Sequence, residues 1–538
     1  MKKGFYIRAA LPFACVALLA GCTAPGGTDT QYIRLSDAAC SFQGADNRPV
    51  TVEVHANPAE WKAEASASWV TISDVTATSL TVEVIDNDTE GTREAEITVT
   101  SGAAEAAIRI VQVAKDYVFP RYRCHPEFQY GTAMSPSGRY AGGFYWEYDD
   151  EHNLNCYPVV IDVATGEWTE LGPYPRTLFS LFSTSCISDY GDLVIATEND
   201  GNVMFRLDGS YEEFKTPAGF TSNPQISQVA ADGTWVGWCG KDGTSYPVKW
   251  VDGMAVELPK PALNYRDEPI GDVQARGISA DGRIWVGWGL DDVLAFGGMY
   301  RPLKWTDGGT PEVLPVPELN FRNEPYVSGV MARGCSADGS VIYGSTWDNL
   351  DYGMLYWKDG KVDWVGSDVR EVRTVQIENG IGEMIDYNIV NGMICTAELT
   401  NISPNGRWIA GTYRTEDSPA PRNYVQARYP AFFNTETGTT TIVKDFGEGS
   451  AAHVTDDGLG IILVGTFLPS SGIVYDIENQ VSLGSVQEWV LDNYHMVIPM
   501  CYITYMTPDK SSMIGSVIEY SELGPRVVSW YMAPPVEK

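Results

Sequence analysis

The chain of 538 residues carries 70 acidic against 37 basic side chains, a formal net charge of −33 at neutral pH. Such an excess repels phosphate backbones and anionic lipid, which excludes nucleic acid as a partner and electrostatic docking on a membrane surface. Aromatic residues make up 12% of the chain, so the composition is that of a folded protein, long enough for more than one domain.

In chain order, Lys2, Lys3 and Arg8 precede a short apolar run over residues 11–20 that is too short to span a bilayer. The run ends in Leu19-Ala20-Gly21-Cys22, which resembles a bacterial lipobox. The resemblance implies that residues 1–21 are a lipoprotein signal peptide and that Cys22 is the lipidation site. Several acyl chains then hold the protein stably on a membrane. An ordinary secretory signal followed by a chance cysteine is the alternative. The expected location is the outer membrane, by the lipid anchor. Its periplasmic and cell-surface faces both stay open, because no clear acidic export run follows Cys22. Residues 22–30 read as the lipidated cysteine and a flexible tether. No later stretch is apolar enough to cross a membrane, so the remainder is expected to be a soluble body.

Residues 31–115 read as a small β unit. Val50-Thr-Val-Glu-Val54, Leu80-Thr-Val-Glu-Val84, Ala95-Glu-Ile-Thr-Val99 and Ala107-Ile-Arg-Ile-Val111 alternate and are bounded by turn residues, as strands of a sandwich do. Together with Trp61, Ala67-Ser-Trp-Val-Thr-Ile72, the Asn87-Asp-Thr-Glu-Gly-Thr-Arg93 turn and Ile110-Val-Gln-Val113, these runs make the segment resemble a BACON-type domain. The resemblance implies an immunoglobulin-like β-sandwich of the kind that precedes carbohydrate-active and carbohydrate-binding domains. A spacer role is favoured over glycan binding, with Trp61 and Trp69 as core residues.

Residues 116–538 are built on a phrase in which a β-forming residue is followed by Ser/Thr-x-Asp/Asn-Gly. It reads Met134-Ser-Pro-Ser-Gly138, Ile187-Ser-Asp-Tyr-Gly191, Val229-Ala-Ala-Asp-Gly233, Ile278-Ser-Ala-Asp-Gly282, Cys335-Ser-Ala-Asp-Gly339, Ile402-Ser-Pro-Asn-Gly406, Val454-Thr-Asp-Asp-Gly458 and Met506-Thr-Pro-Asp-Lys510. A spacing of roughly 40–65 residues is that of one four-stranded propeller blade. The whole is therefore expected to be all-β: the sandwich, then an eight-bladed β-propeller, or a seven-bladed one if the weak second unit is not a blade. Each unit supplies strands a to d. The Asp-Gly turn joins a to b, since tight hairpins need positive φ, and the b–c and d–a connections are expected to be long. Asp116-Tyr-Val-Phe119 is the candidate last strand of the closing blade. Beside Pro-x-x-Trp-x-x-Gly segments such as Pro247-Val-Lys-Trp-Val-Asp-Gly253, the turns resemble HAF-type repeats; no catalytic residue is carried over.

Candidate site residues fall on the loop-bearing face, where scaffolds collect function. Arg276 and Arg333 occupy a column that is otherwise Thr132, Ser185, Ser227, Thr400, Ala452 and Thr504. Two guanidinium groups on adjacent inner strands form an anion site, unless each pairs with Asp267, Glu268 or Glu324 of its own loop. The preceding loops match, as Leu263-Asn-Tyr-Arg-Asp-Glu-Pro269 and Leu319-Asn-Phe-Arg-Asn-Glu-Pro325, and add Arg266 and Arg322. Trp238, Trp288, Trp347 and Tyr413 follow strand-b glycines and suit the apolar face of a sugar, blade packing being the alternative. The turn carboxylates read as hairpin chemistry rather than calcium ligands. The eight cysteines after Cys22 form no CxxC or zinc spacing, so no metal and no cofactor is expected. A Cys124–Cys156 bridge stays open.

The functional expectation is non-catalytic binding of a glycan or other extracellular ligand, with an anionic one suited to the arginine pair, in a saccharide-uptake system. Alternatives are a protein–protein interaction scaffold with envelope partners, and a propeller glycosidase or lyase. The five histidines show no triad or metal spacing, so binding is expected ahead of catalysis.

Overall fold

The computed structural model describes residues 31–124, 133–148, 151, 154–175, 183–197, 201–294, 297–325, 329–346, 353–379, 381–395, 402–415, 427–465, 471–521 and 524–535. The signal segment, Cys22, the tether and Trp347 lie outside the described residues. Apart from one nine-residue helix, Val486–Tyr494, the described secondary structure is β. The chain divides into two compact units, residues 1–119 with 490–498, and residues 120–489 with 499–538.

The first unit holds two four-stranded sheets. One orders Tyr32–Leu35, Val50–Asn57, Ser79–Val84 and Val70–Ser73; the other orders Ala39–Phe42, Ala104–Gln112, Arg93–Ser101 and Lys62–Ala65. Alternation puts Val52, Val54, Leu80, Val82, Ile97, Val99, Ile108 and Ile110 in one core, all fully buried. Trp61 and Trp69 pack against that core. Trp61 donates its indole N–H to the Ala77 carbonyl at 3.0 Å, and the Arg93 guanidinium covers the Trp69 ring at 4.4 Å. Neither ring offers a bare platform.

Among the described residues the second unit holds eight antiparallel sheets that follow the repeat, seven of them meanders of four successive strands; the first carries a fifth strand, Tyr174–Pro175. The sheets are numbered here as repeats one to eight. Repeat two, the weakest in sequence, forms a full sheet over Ser183–Ile187, Leu193–Thr197, Gly201–Phe205 and Tyr211–Glu213. Repeat eight takes its outer strand from the start of the unit: Arg121–Cys124 pairs with Gly524–Ala533, Trp530 facing Cys124 and Ala533 facing Arg121. The closing strand is thus displaced from residues 116–119. It begins just after Pro120, which has no N–H to give to a ladder. Cys124 and Cys156 are both free thiols. They sit in different sheets, on Arg121–Cys124 and Leu154–Asp162.

The turn phrase is a hydrogen-bonding device. The buried Ser279 hydroxyl donates to Asp281 at 2.6 Å and accepts the Ile284 amide at 3.0 Å. Ser336, Ser403, Thr455 and Thr507 repeat the pattern with Asp338, Asn405, Asp457 and Asp509. Neighbouring turns also touch. The amides of Ala231, Ala280 and Ala337 donate to the carbonyls of Ala280, Ala337 and Pro404, one repeat onward each time. Ser137 bonds Asp189 and Asn405 bonds Asp456 in the same sense. A Cβ on Gly138 of repeat one would strike the Thr507 methyl of repeat eight, so the series of turns comes back on itself.

The b–c connections are not uniformly long. In repeat three, Trp235–Lys241 and Thr244–Val251 are joined by Asp242-Gly243, both at positive φ. In repeat four the strands run on as Ile284–Leu294 and Gly297–Thr306. Chain expected as loop is therefore strand. The d–a connections do carry loop mass, and one holds a hairpin, Glu371–Glu378 with Met384–Asn391, inserted between repeats five and six.

Candidate functional site

The arginine column coincides with a register shift. Strand a slips against strand b between Ala275 and Gly277, and between Ala332 and Gly334, so Arg276 and Arg333 are the extra residues of β-bulges. The same shift passes over Ser185, Ser227, Ala452 and Thr504. A bulge leaves one residue unpaired and re-aims its side chain. The glycine on strand b is its counterpart. A Cβ on Gly237 would stand 1.8 Å from the Gln225 carbonyl oxygen, and one on Gly287 2.0 Å from that of Gln274. In repeats three, four, five and eight the strand-b glycine thus leaves room for that carbonyl, whereas the bulges of repeats two and seven face Ile195 and Ile462.

Gly277 and Gly334, which follow the two arginines, let the inner strands Val273–Ile278 and Val330–Cys335 approach closely; a Cβ on Gly277 would lie 2.8 Å from the Gly334 Cα. Arg276 is half-buried. Its guanidinium carbon lies 4.0 Å from the centre of the Trp238 ring of repeat three and 6.0 Å from that of Trp288 of its own repeat. One Nη donates to the Gln274 side-chain oxygen at 2.7 Å. Among the described residues it pairs with no carboxylate. Burial, and secondarily the charge of Arg333, push the Arg276 guanidinium down to about 10, which still leaves it a cation at neutral pH. The Trp288 ring is braced edge-on by Tyr300, with centroids 4.9 Å apart.

Arg333 has a different setting. Its Nε donates to the Ser345 hydroxyl at 2.5 Å and an Nη lies 4.0 Å from the Met331 sulfur. Ser345 faces Met331 in the ladder as Trp288 faces Gln274. Repeat five therefore has a small hydroxyl where repeat four has an indole. Gln274, Tyr300 and Ser345 belong to this cluster and were not among the candidates. Gln274 and Met331 stand two residues before the arginines, the spacing at which strand residues share a face.

The remaining candidates are elsewhere. Among the described residues Arg276 does not pair with Asp267 or Glu268. The matched loops close on their asparagines instead: the Asn264 oxygen accepts the amides of Arg266 and Glu268, and the Asn320 oxygen those of Arg322 and Glu324. Asp267 and Asn323 adopt positive φ in the same place. Arg266 binds Asp292 and the Tyr265 hydroxyl. Arg322 donates to the Asn388 carbonyl at 2.9 Å and covers Tyr387, tying the inserted hairpin to its loop. Tyr413 is buried in the core of repeats five and six. The candidates that come together are thus Arg276, Arg333, Trp238 and Trp288.

No curated protein matches the chain. Residues 59–113 match the BACON family model, described as "Putative binding domain, N-terminal". Among solved structures the chain is similar to oligogalacturonate lyase from Vibrio parahaemolyticus, with 10% identity, 78% of this chain and 99% of that one covered, and a TM-score of 0.36. It is similar to the tricorn protease, with 9% identity, coverage of 80% and 44%, and a TM-score of 0.35. It is also similar to the β-propeller domain of the Trilobed protease from Pyrococcus furiosus, with 11% identity, coverage of 77% and 98%, and a TM-score of 0.32.

Proposed function

We propose that this chain is a lipid-anchored envelope protein, held at the outer membrane through Cys22, whose immunoglobulin-like sandwich precedes an eight-bladed β-propeller that binds an anionic saccharide without chemical turnover. The BACON match supports a binding role. The observation that carries the ligand class is Arg276, a half-buried guanidinium between two indoles, with Arg333 nearby and no carboxylate partner among the described residues. In a chain of net charge −33, an arginine with no carboxylate partner among the described residues, beside a second arginine, is a local exception that a carboxylate or sulfate fits. Trp238 stacks on the guanidinium and Trp288 is buried beside it, so the two indoles hold the cation in place.

Titration calorimetry with polyuronate and neutral polysaccharides tests the reading. Wild type is expected to bind the polyuronate. Arg276→Ala combined with Arg333→Ala is expected to weaken it by at least ~10-fold, or about 1.4 kcal/mol, and a neutral glycan much less. Absence of polyuronate binding, or equal losses for both ligands, overturns it.

A second reading, a protein-interaction scaffold, is favoured by the inserted hairpin. Ile381, Met384 and Ile385 are exposed at its tip, by 79%, 60% and 40%.

A further inference from the structure

Repeat three carries a second cationic and aromatic cluster on the strand pair that supplies Trp238. Beyond Trp238 the strand continues to Lys241, three residues or about 10 Å further along, an odd spacing that puts the two side chains on opposite faces of the sheet. There the Lys241 ammonium lies 5.6 Å from the Phe220 ring and 5.8 Å from the Tyr246 ring. Lys260, from the d–a connection that leads to the strand of Arg276, stands 3.7 Å from the centre of the same Tyr246 ring. Neither lysine has a carboxylate partner among the described residues. Asp272 accepts the Ser245 amide, and Asp242 sits at positive φ in the turn beyond Lys241. Hydrogen bonds from Lys260 and Thr244 lower the Tyr246 hydroxyl from its ordinary range, an effect of the same lysine. Phe220 and Tyr246 pack edge to face, 5.7 Å apart, so two rings present a fixed surface beside two ammonium groups.

We propose that Lys241, Lys260, Phe220 and Tyr246 form a second subsite, and that the ligand is a chain of anionic sugars long enough to reach from Arg276 to these lysines. The inference rests on the anion reading of Arg276 and adds to it: one acidic group engages the arginines, and a later one reaches the lysines across the end of the repeat-three hairpin. A monomer fills only the inner subsite.

The test measures dissociation constants for oligomannuronates of one to six residues by calorimetry. Wild type is expected to tighten by at least ~10-fold from monomer to tetramer. Lys241→Ala with Lys260→Ala should bind the monomer as wild type does and lose the gain with length, at an unchanged melting temperature. Lys241→Arg with Lys260→Arg should retain it. Arg276→Ala should weaken every length. Monomer binding with no length dependence, or a length dependence that survives loss of both lysines, overturns the second subsite alone. Failure of wild type to bind any length overturns the inner site with it.

Discussion

Gly277 and Gly334 meet backbone to backbone where repeats four and five adjoin, and a single added methyl on Gly277 would lie 2.8 Å from the Gly334 Cα. The two bulged arginines owe their separation to that contact. Gly277→Ala is expected to push the strands apart, costing about 1–3 kcal/mol of stability by overpacking. It should weaken polyuronate binding although it removes no ligand-facing atom. Chemical denaturation and calorimetry on the same sample check both; unchanged binding with lost stability would separate the packing from the site.

The two indoles flanking Arg276 should not be equivalent. Trp238 lies 4.0 Å from the guanidinium and is half-buried, whereas Trp288 is buried against Tyr300. Trp238→Ala is expected to reduce ligand affinity by roughly 10-fold with little change in melting, since it removes a cation–π contact at a partly open position. Trp288→Ala is expected to lower stability by about 3 kcal/mol. Intrinsic fluorescence melts alongside binding curves distinguish the two; the reverse assignment refutes the geometry.

Acid should loosen the second unit through His453. Its ring is buried, its Nδ1 has no hydrogen-bond partner, and burial holds its pKa near 4 against 6.5 in an exposed histidine. The native state keeps the ring neutral where the unfolded chain takes up a proton. Stability is therefore full above about pH 6.5 and falls as pH drops toward 4. The contribution is on the order of 3 kcal/mol. Urea melts at pH 7 and 4.5 should show a difference that His453→Gln largely abolishes; an undiminished difference in the variant excludes this histidine as the source.

Arg322 should govern the inserted hairpin rather than the ligand. Its guanidinium bonds the Asn388 carbonyl, and Asn388 returns a bond to the Arg322 carbonyl at 3.0 Å. Arg322→Ala is expected to speed amide exchange over residues 371–391 by roughly 10-fold, corresponding to about 1–2 kcal/mol for a charged hydrogen bond. Polyuronate affinity should be unaffected, and a parallel loss of affinity would return Arg322 to the site.

The all-β character and the turns were legible because hairpin chemistry is local: Ser279, Asp281 and Gly282 stand within four residues of one another. The bulge was not. Alternation counts residues on one strand, while an extra residue shows only against its partner, so the strand-b glycine read as punctuation instead of as room for a carbonyl. Counting from that glycine grouped Trp347 with Trp288, and Trp347 lies outside the described residues. The matched loops drew attention to Arg266 and Arg322, but their shared residues serve an asparagine-closed turn. The helix had a signature in Ser485 and Glu488, which cap each other's amides. The inserted hairpin reuses the loop chemistry, with Asn379 accepting the Ile381 and Glu383 amides.

The pairing of Arg121–Cys124 with Gly524–Ala533 has a mechanical consequence. A pull applied at residues 121 and 533 loads one short antiparallel ladder, and until it parts the intervening four hundred or so residues bear no tension. Once it parts, the remaining sheets can yield only in series. Resistance to stretching is therefore concentrated in four residue pairs, and cutting the backbone within a b–c connection would move both ends of the chain away from that clasp while keeping it shut.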